Sequence, residues 1–220
     1  MHFNIEVTNT SHQKYAAFIC KIMESAAKVR GTGIAKRKPE YIKQKMAQGN
    51  AVIAFDKDVA IGFCYIESWE GQKYVANSGL IIHPDYRKQG LAKAIKKEIF
   101  ELSKKKFPDA KLFGITTSMA VMKINSDLGY KPVAFSELTR DEDFWKGCQN
   151  CANYDVLKRT NKTMCLCTGM VCDFKESKAH ATEDKKSWEK FIQFLKDRKT
   201  RIQEKAKLFP KLLKRINYGK

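Results

Sequence analysis

No stretch of this 220-residue chain approaches the roughly 20 consecutive apolar residues that a membrane-crossing helix needs. The opening Met1-His2-Phe3-Asn4-Ile5-Glu6 lacks the basic-then-apolar order of a secretory signal. A soluble, cytoplasmic protein is expected. There is no internal repeat and no low-complexity segment, and the length is too short for two ordinary catalytic domains. One catalytic core with an appendage is therefore expected. Acidic residues are scarce, 24 against 42 Lys and Arg, for a net charge of +18. The imbalance is concentrated: residues 174–220 hold 15 Lys and Arg against 6 Asp and Glu, an excess of 9. Such a field attracts polyanions, among them nucleic acid, acidic membrane surfaces and acidic metabolites, and it also serves simply to keep a helix solvated.

What is present is a clear alternation of periodicities. Residues 3–7 alternate as a half-buried strand, and Ser11 reads as the cap of a helix running to about Lys28. A cationic loop with two glycines, containing Arg30, Thr32, Gly33, Lys36 and Arg37, leads to a second helix opened by Pro39. Strands over residues 51–55, 59–66 and 74–82 follow, the first two joined by the turn Asp56-Lys57-Asp58. Residues 90–106 are helical, with Leu91, Ile95, Ile99 and Leu102 on one face and lysines on the other. A strand at 111–117, a helix at 119–128 and a strand at 131–138 complete a βααβββαβαβ order, a mixed sheet with helices on its faces. Beyond Asp141 come a short acidic helix, a cysteine-rich segment, a strand over 164–171 and a basic helix. In that last helix Trp188, Leu195, Ile202, Phe209 and Ile216 recur every seven residues, a seam that packs on the parent domain or on a second copy. The expected divisions are 1–140, 141–173 and 174–220, in a monomer or homodimer.

Two motifs carry chemistry. Where a strand ends in a glycine-containing turn and a helix begins, unpaired N–H groups and the helix dipole converge on an anion. Arg87, Lys88, Gln89, Gly90, Leu91 and Ala92 meet that requirement. The second motif is Cys148-x2-Cys151, followed after thirteen residues by Cys165-x-Cys167. Four thiolates in paired short spacings suit a structural zinc, and the same cysteines also suit a set of buried thiols.

The stretch Gly79-Leu-Ile-Ile-His-Pro-Asp-Tyr-Arg-Lys-Gln-Gly-Leu-Ala-Lys-Ala94 resembles the central acyl-CoA motif of the GNAT superfamily of N-acyltransferases. Residues 124–132, Ile-Asn-Ser-Asp-Leu-Gly-Tyr-Lys-Pro, resemble its helix-to-strand segment. The likeness covers roughly residues 3–140. It implies an α/β (α+β) fold with a mostly antiparallel sheet whose central strand bulges near residues 81–83 and splays from the next. It further implies that Ile81 and Ile82 pair with the pantetheine arm of acetyl-CoA or another acyl-CoA, that the amides of residues 88–92 hold its pyrophosphate, and that a primary amine attacks the thioester directly. Where many members of the superfamily carry an acidic tyrosine, this chain has Asn125, which donates a hydrogen bond but is no general acid. No carboxylate lies on the strand over 75–82, so the nearest bases are Glu67 and Glu70. Residues 30–36, 75–80 and 144–155 further resemble a subgroup of Bacteroidetes-type bacteria linked with arginine biosynthesis. That likeness implies glutamate or a related amino acid as acceptor, which Arg30, Thr32, Gly33 and Arg37 would meet. The rival from another class is a zinc-containing nucleic-acid-binding module. A hybrid, in which a protein or RNA substrate docks on the basic tail, also stays open.

Overall fold

Tight turns and a hydrophobic pattern that is apolar on both faces place a hairpin at the centre of the molecule. In the computed structural model, which describes residues 3–30, 37–149, 151, 153–175, 193 and 197, strands β2 (Ala51–Asp56) and β3 (Val59–Trp69) are buried along most of their length. Strand β1 (Asn4–Val7) pairs with β2, and β4 (Tyr74–Ile82) pairs with β3, all antiparallel. Strands β5 (Lys111–Thr116), β6 (Lys131–Val133) and β7 (Thr168–Asp173) complete a seven-stranded sheet of order β1-β2-β3-β4-β5-β7-β6. Among the described residues only β4 and β5 run parallel.

The helices cover both faces, as expected. Helices α1 (Ala16–Arg30) and α2 (Pro39–Ala47) bury Ile19, Met23, Ile42 and Met46 against Phe63, Tyr65 and Ile81 on one face. Helix α3 (Leu91–Lys106) buries Leu91, Ile95, Ile99 and Phe100 on the other, among Cys64, Ile82, Leu112 and Tyr130. Helix α4 (Met119–Asp127) adds Met122 at the margin of that second core. Asn77 of β4 donates to the Ser103 hydroxyl at 2.9 Å and the Ile99 carbonyl at 3.3 Å, which fixes α3 against the strand. At its far end Lys106 donates to the Gln48 and Gly49 carbonyls at 3.0 and 2.9 Å, satisfying acceptors left where α2 ends.

Several boundaries differ from the sequence reading. The first cap is Asn9, whose side chain accepts from Ser11 N–H at 2.9 Å, and a 3-10 turn over Thr10–Tyr15 precedes α1. The sixth strand stops at Val133 and gives way to a 3-10 turn over Phe135–Glu137. The last strand begins at Thr168, and it inserts between β5 and β6. Two short helices, α5 (Glu142–Lys146) and α6 (Tyr154–Arg159), lie in the intervening segment, and the second was not expected. They build a third core in which Trp145, Leu157 and Leu138 cover Phe113 and Ala76, and the Trp145 indole donates to the Thr139 carbonyl at 2.9 Å.

The chain divides into units Met1–Lys175 and Glu176–Lys220. Phe174, assigned above to the tail, packs edge-on to Phe100 at 5.5 Å in the first unit. Of the expected basic tail beyond Lys175, only Gln193 and Asp197 are described. Both are helical and exposed, joined by a 2.9 Å hydrogen bond. The seven-residue seam lies outside the described residues. Among the described residues no helix is long and apolar enough to cross a membrane.

Candidate functional site

The parallel pair is held together only at Tyr74, Val75 and Ala76, opposite Lys111, Leu112 and Phe113. Past Ala76 the two strands part, so the β4 edge that carries Ile81 and Ile82 has no strand partner on the β5 side. On the other side both residues pair with Phe63 and Gly62 of β3. The bulge that bends β4 away lies at Gly79 and Leu80, between the Tyr65–Ser78 and Phe63–Ile81 pairs, rather than at residues 81–83. Its position follows from Gly79, whose φ of +63° suits glycine, and from Tyr65. A Cβ on Gly79 would fall 2.3 Å from the Tyr65 ring.

β4 then runs through a 3-10 turn at Pro84–Tyr86 into the N-terminus of α3. Lys88 has a φ of +62° and Gly90, the cap of α3, a φ of +82°. The Arg87 side chain donates back to the Ile82 carbonyl at 3.3 Å and Gln89 to the Asp85 carbonyl at 3.1 Å, tying the turn to the strand end. The first helical bonds run from Lys93 and Ala94 N–H to the Gly90 carbonyl. The amides of residues 88–92 therefore have no acceptor among the described residues. A Cβ on Gly90 would meet nothing within 4 Å, so the space before these donors is open. Five free N–H groups at a dipole's positive end, with Arg87 and Lys88 beside them, form an anion cradle.

On the opposite face, two residues singled out separately in the sequence come together. The Arg37 guanidinium lies 3.6 Å from the Glu67 carboxylate and donates to the Tyr65 hydroxyl at 2.6 Å. The Tyr41 hydroxyl donates a short hydrogen bond to Glu67. Burial works against the Arg37 charge, but the Tyr65 and Glu67 oxygens outweigh it and lift its pKa above the usual value. Burial, with Glu67 adding to it, pushes the Tyr41 phenol up, so Tyr41 remains a donor. Lys45 sits over the Tyr41 ring at 5.2 Å, and burial lowers its pKa. Nothing in the sequence marks Tyr41, Lys45 or Tyr65 as site residues. The spacings of Tyr41 and Tyr65 mark them as core, and Lys45 reads as an ordinary basic residue in the last turn of a helix.

Glu70 is committed elsewhere: its carboxylate accepts from the Thr139 hydroxyl at 2.6 Å and the Arg140 amide at 2.7 Å. Arg30 is the last residue of α1, and Thr32 and Gly33 lie outside the described residues. Asn125 is buried on α4 with its Oδ1 unpartnered and its Nδ2 3.8 Å from the Met170 sulfur.

The expected zinc site is not confirmed. Among the described residues no group of three or more His, Cys, Asp or Glu could hold a metal ion. Cys148, Cys165 and Cys167 instead pack against the third core as partly buried apolar groups. Burial, with Cys151 and Cys165 adding to it, pushes the Cys148 thiol up to about 11, and burial with Cys165, Cys151 and Cys148 pushes the Cys167 thiol up to about 12, so the four cysteines lie near enough to act on one another.

Residues 21–120 match the model of the acetyltransferase (GNAT) family. No curated protein sequence matches the chain. Among solved structures the chain is similar to N-acetylglutamate synthase from Neisseria gonorrhoeae complexed with coenzyme A and N-acetyl-glutamate, at 13% identity and a TM-score of 0.55. The likeness covers 79% of this chain but 35% of that one, so this chain spans about a third of that protein's length. It is also similar to a phosphinothricin acetyltransferase of the GNAT superfamily from Sinorhizobium meliloti in complex with acetyl-CoA (13% identity, TM-score 0.52, 79% and 89% covered). A GNAT-family acetyltransferase from Staphylococcus aureus Mu50 matches at 12% identity and a TM-score of 0.53, with 79% and 99% covered. At these identities the likeness shows a shared fold. The family match spans β2, β3, β4 and the Gly90 turn.

Proposed function

We propose that this chain, as an acyl-CoA-dependent N-acyltransferase of the GNAT superfamily, moves an acetyl or other short acyl group to the primary amine of a small amino acid. One observation carries the reading: five amides without acceptors at the N-terminus of α3, beside the unpaired edge of β4. Together they offer a pyrophosphate cradle and a strand for the pantetheine arm to pair with. The residues fit the co-substrate: the amides of residues 88–92 have no acceptor among the described residues, Arg87 and Lys88 stand beside them, and a Cβ on Gly90 would meet nothing within 4 Å. Acyl-CoA supplies the thioester.

On the acceptor side, Arg37 is the charge that would meet a carboxylate of the substrate, as its planar fork suits. Glu67, ion-paired to Arg37 and hydrogen-bonded to Tyr41, is the base that takes the ammonium proton, directly or through a water. Glutamate is the acceptor favoured by the cationic loop and by the N-acetylglutamate synthase among its structural neighbours.

Release of free thiol from acetyl-, propionyl- and succinyl-CoA, measured against the common amino acids, tests the reading. Turnover is expected with acidic amino acids first. Glu67→Gln should lower kcat by roughly 10²–10⁴-fold with acetyl-CoA affinity unchanged. No thiol release with any amine would contradict the assignment, and turnover only with peptides or RNA would move the acceptor to a macromolecule.

A further inference from the structure

Where β4 and β5 part, a buried polar group lies on the α3 side of the sheet, away from Arg37 and Glu67. On the β4 wall, the Cys64 thiol donates to the Ser78 carbonyl at 3.3 Å, two residues beyond the last β4–β5 pair. Lys96 of α3 lies close enough to Cys64 for their charges to couple, and it is only 4% exposed. On the β5 wall, Gly114 is the first residue past the pairing, and a Cβ there would meet nothing within 4 Å. Met170 of β7 pairs with Gly114 and receives Asn125. Tyr130, which follows α4, is buried in the same core as Cys64, Met170 and Cys172. The walls meet where the Lys96 Nζ stands 5.4 Å from the centre of the Tyr130 ring.

Two groups here are buried without the partners their chemistry requires, and a lysine stands beside them. The Tyr130 hydroxyl and the Asn125 Oδ1 are buried without a hydrogen-bond partner. Lys96 is 4% exposed, and its ammonium has neither a carboxylate nor a hydrogen-bond acceptor among the described residues, with the Tyr130 ring 5.4 Å away. A buried cation without a counter-ion is unfavourable in the free protein and becomes favourable when an anion arrives. Burial lowers the Lys96 pKa, with Cys64 opposing in part, and it holds the Tyr130 phenol far above its usual value, so Tyr130 stays an O–H donor.

We propose that Lys96 is a catalytic residue that pairs with the sulfur leaving in acyl transfer, with Tyr130 donating a hydrogen bond to the same atom. The inference rests on the acyltransferase reading and fills the role that Asn125, an amide, is unable to take. The acceptor nitrogen bonds to the thioester carbonyl carbon. As the tetrahedral adduct collapses, the C–S bond breaks and its electron pair goes to sulfur, which leaves as a thiolate held by the Lys96 ammonium. The surplus proton of the acceptor passes to Glu67 and then to solvent, and the thiolate is protonated once coenzyme A departs.

The test uses coenzyme A and S-methyl-coenzyme A, which differ only in having an ionisable sulfur. Both are titrated into the full chain near pH 7.5, and the difference in ultraviolet thiolate absorbance between the two complexes is read. Wild type should bind coenzyme A as thiolate. Lys96→Met should lose that absorbance and bind S-methyl-coenzyme A with unchanged affinity, while turnover falls about 10²–10³-fold. Binding of both ligands with no thiolate in wild type, or with the signal intact in Lys96→Met, overturns the proposal and leaves the acyltransferase reading standing. If neither ligand binds wild type, both fall. Should Lys96→Met fail to bind S-methyl-coenzyme A, Tyr130→Phe serves instead. An upward shift of the bound thiol's titration supports the proposal and an unshifted one overturns it.

Discussion

Lys96 sits among apolar side chains on α3, and its burial has a thermodynamic consequence separate from catalysis. Its folded pKa is depressed below the usual lysine value, so the folded state carries a cost that grows as pH falls below the unfolded value and is complete below the depressed one. The cost is absent above the unfolded value near 10.5. Lys96→Met should therefore raise the melting temperature at pH 7, and the gain should shrink as pH approaches 10.5. Thermal denaturation of both proteins across that range checks it; an equal or lower melting point at pH 7 would show that the ammonium has an anionic partner in the free protein. A residue of this kind was not legible in the sequence. Lys96 reads there as one lysine of a polar helix face, because periodicity identifies the stripe but not how far the neighbouring strand and Tyr130 wrap around its edge. Arg37 and Glu67 were each legible from charge and position. Their meeting was not, since it depends on how α2 lies across β3.

At the scale of the element, the bend in β4 decides the site. Gly79 allows the bulge and makes room for the Tyr65 ring, and Tyr65 in turn holds Arg37. Gly79→Ala would place a methyl group inside that ring at a positive φ, an arrangement that costs on the order of 1–3 kcal/mol even where the neighbours yield. The expected outcome is a lower midpoint in urea and weaker binding of the acceptor amino acid, with part of the acetyl-CoA affinity retained at the turn. Wild-type stability would mean that Tyr65 swings aside freely. The order of elements up to β6 could be read from periods of two and 3.6, which are local properties. The insertion of β7 between β5 and β6 could not, because strand pairing across a 34-residue segment, from Ala134 to Cys167, leaves no local periodicity. The early end of β6 at Val133 has a similar origin. Phe135 and Leu138 face the third core and pull the chain into a turn.

For the molecule as a whole, the sheet separates two tasks. The α3 face holds the anion cradle and the buried ammonium, and the α1–α2 face holds the carboxylate and guanidinium expected to handle the acceptor. The divergence of β4 from β5 gives the two faces a common opening. The net charge of +18 favours a co-substrate that carries phosphates. The account stands on the amides of residues 88–92, and backbone amide resonances of the labelled protein titrated with coenzyme A read them directly. The largest shifts are expected at Lys88, Gln89, Gly90, Leu91 and Ala92, with smaller ones at Ile81 and Ile82. Shifts confined to other residues, with those five amides unmoved at saturation, would contradict it.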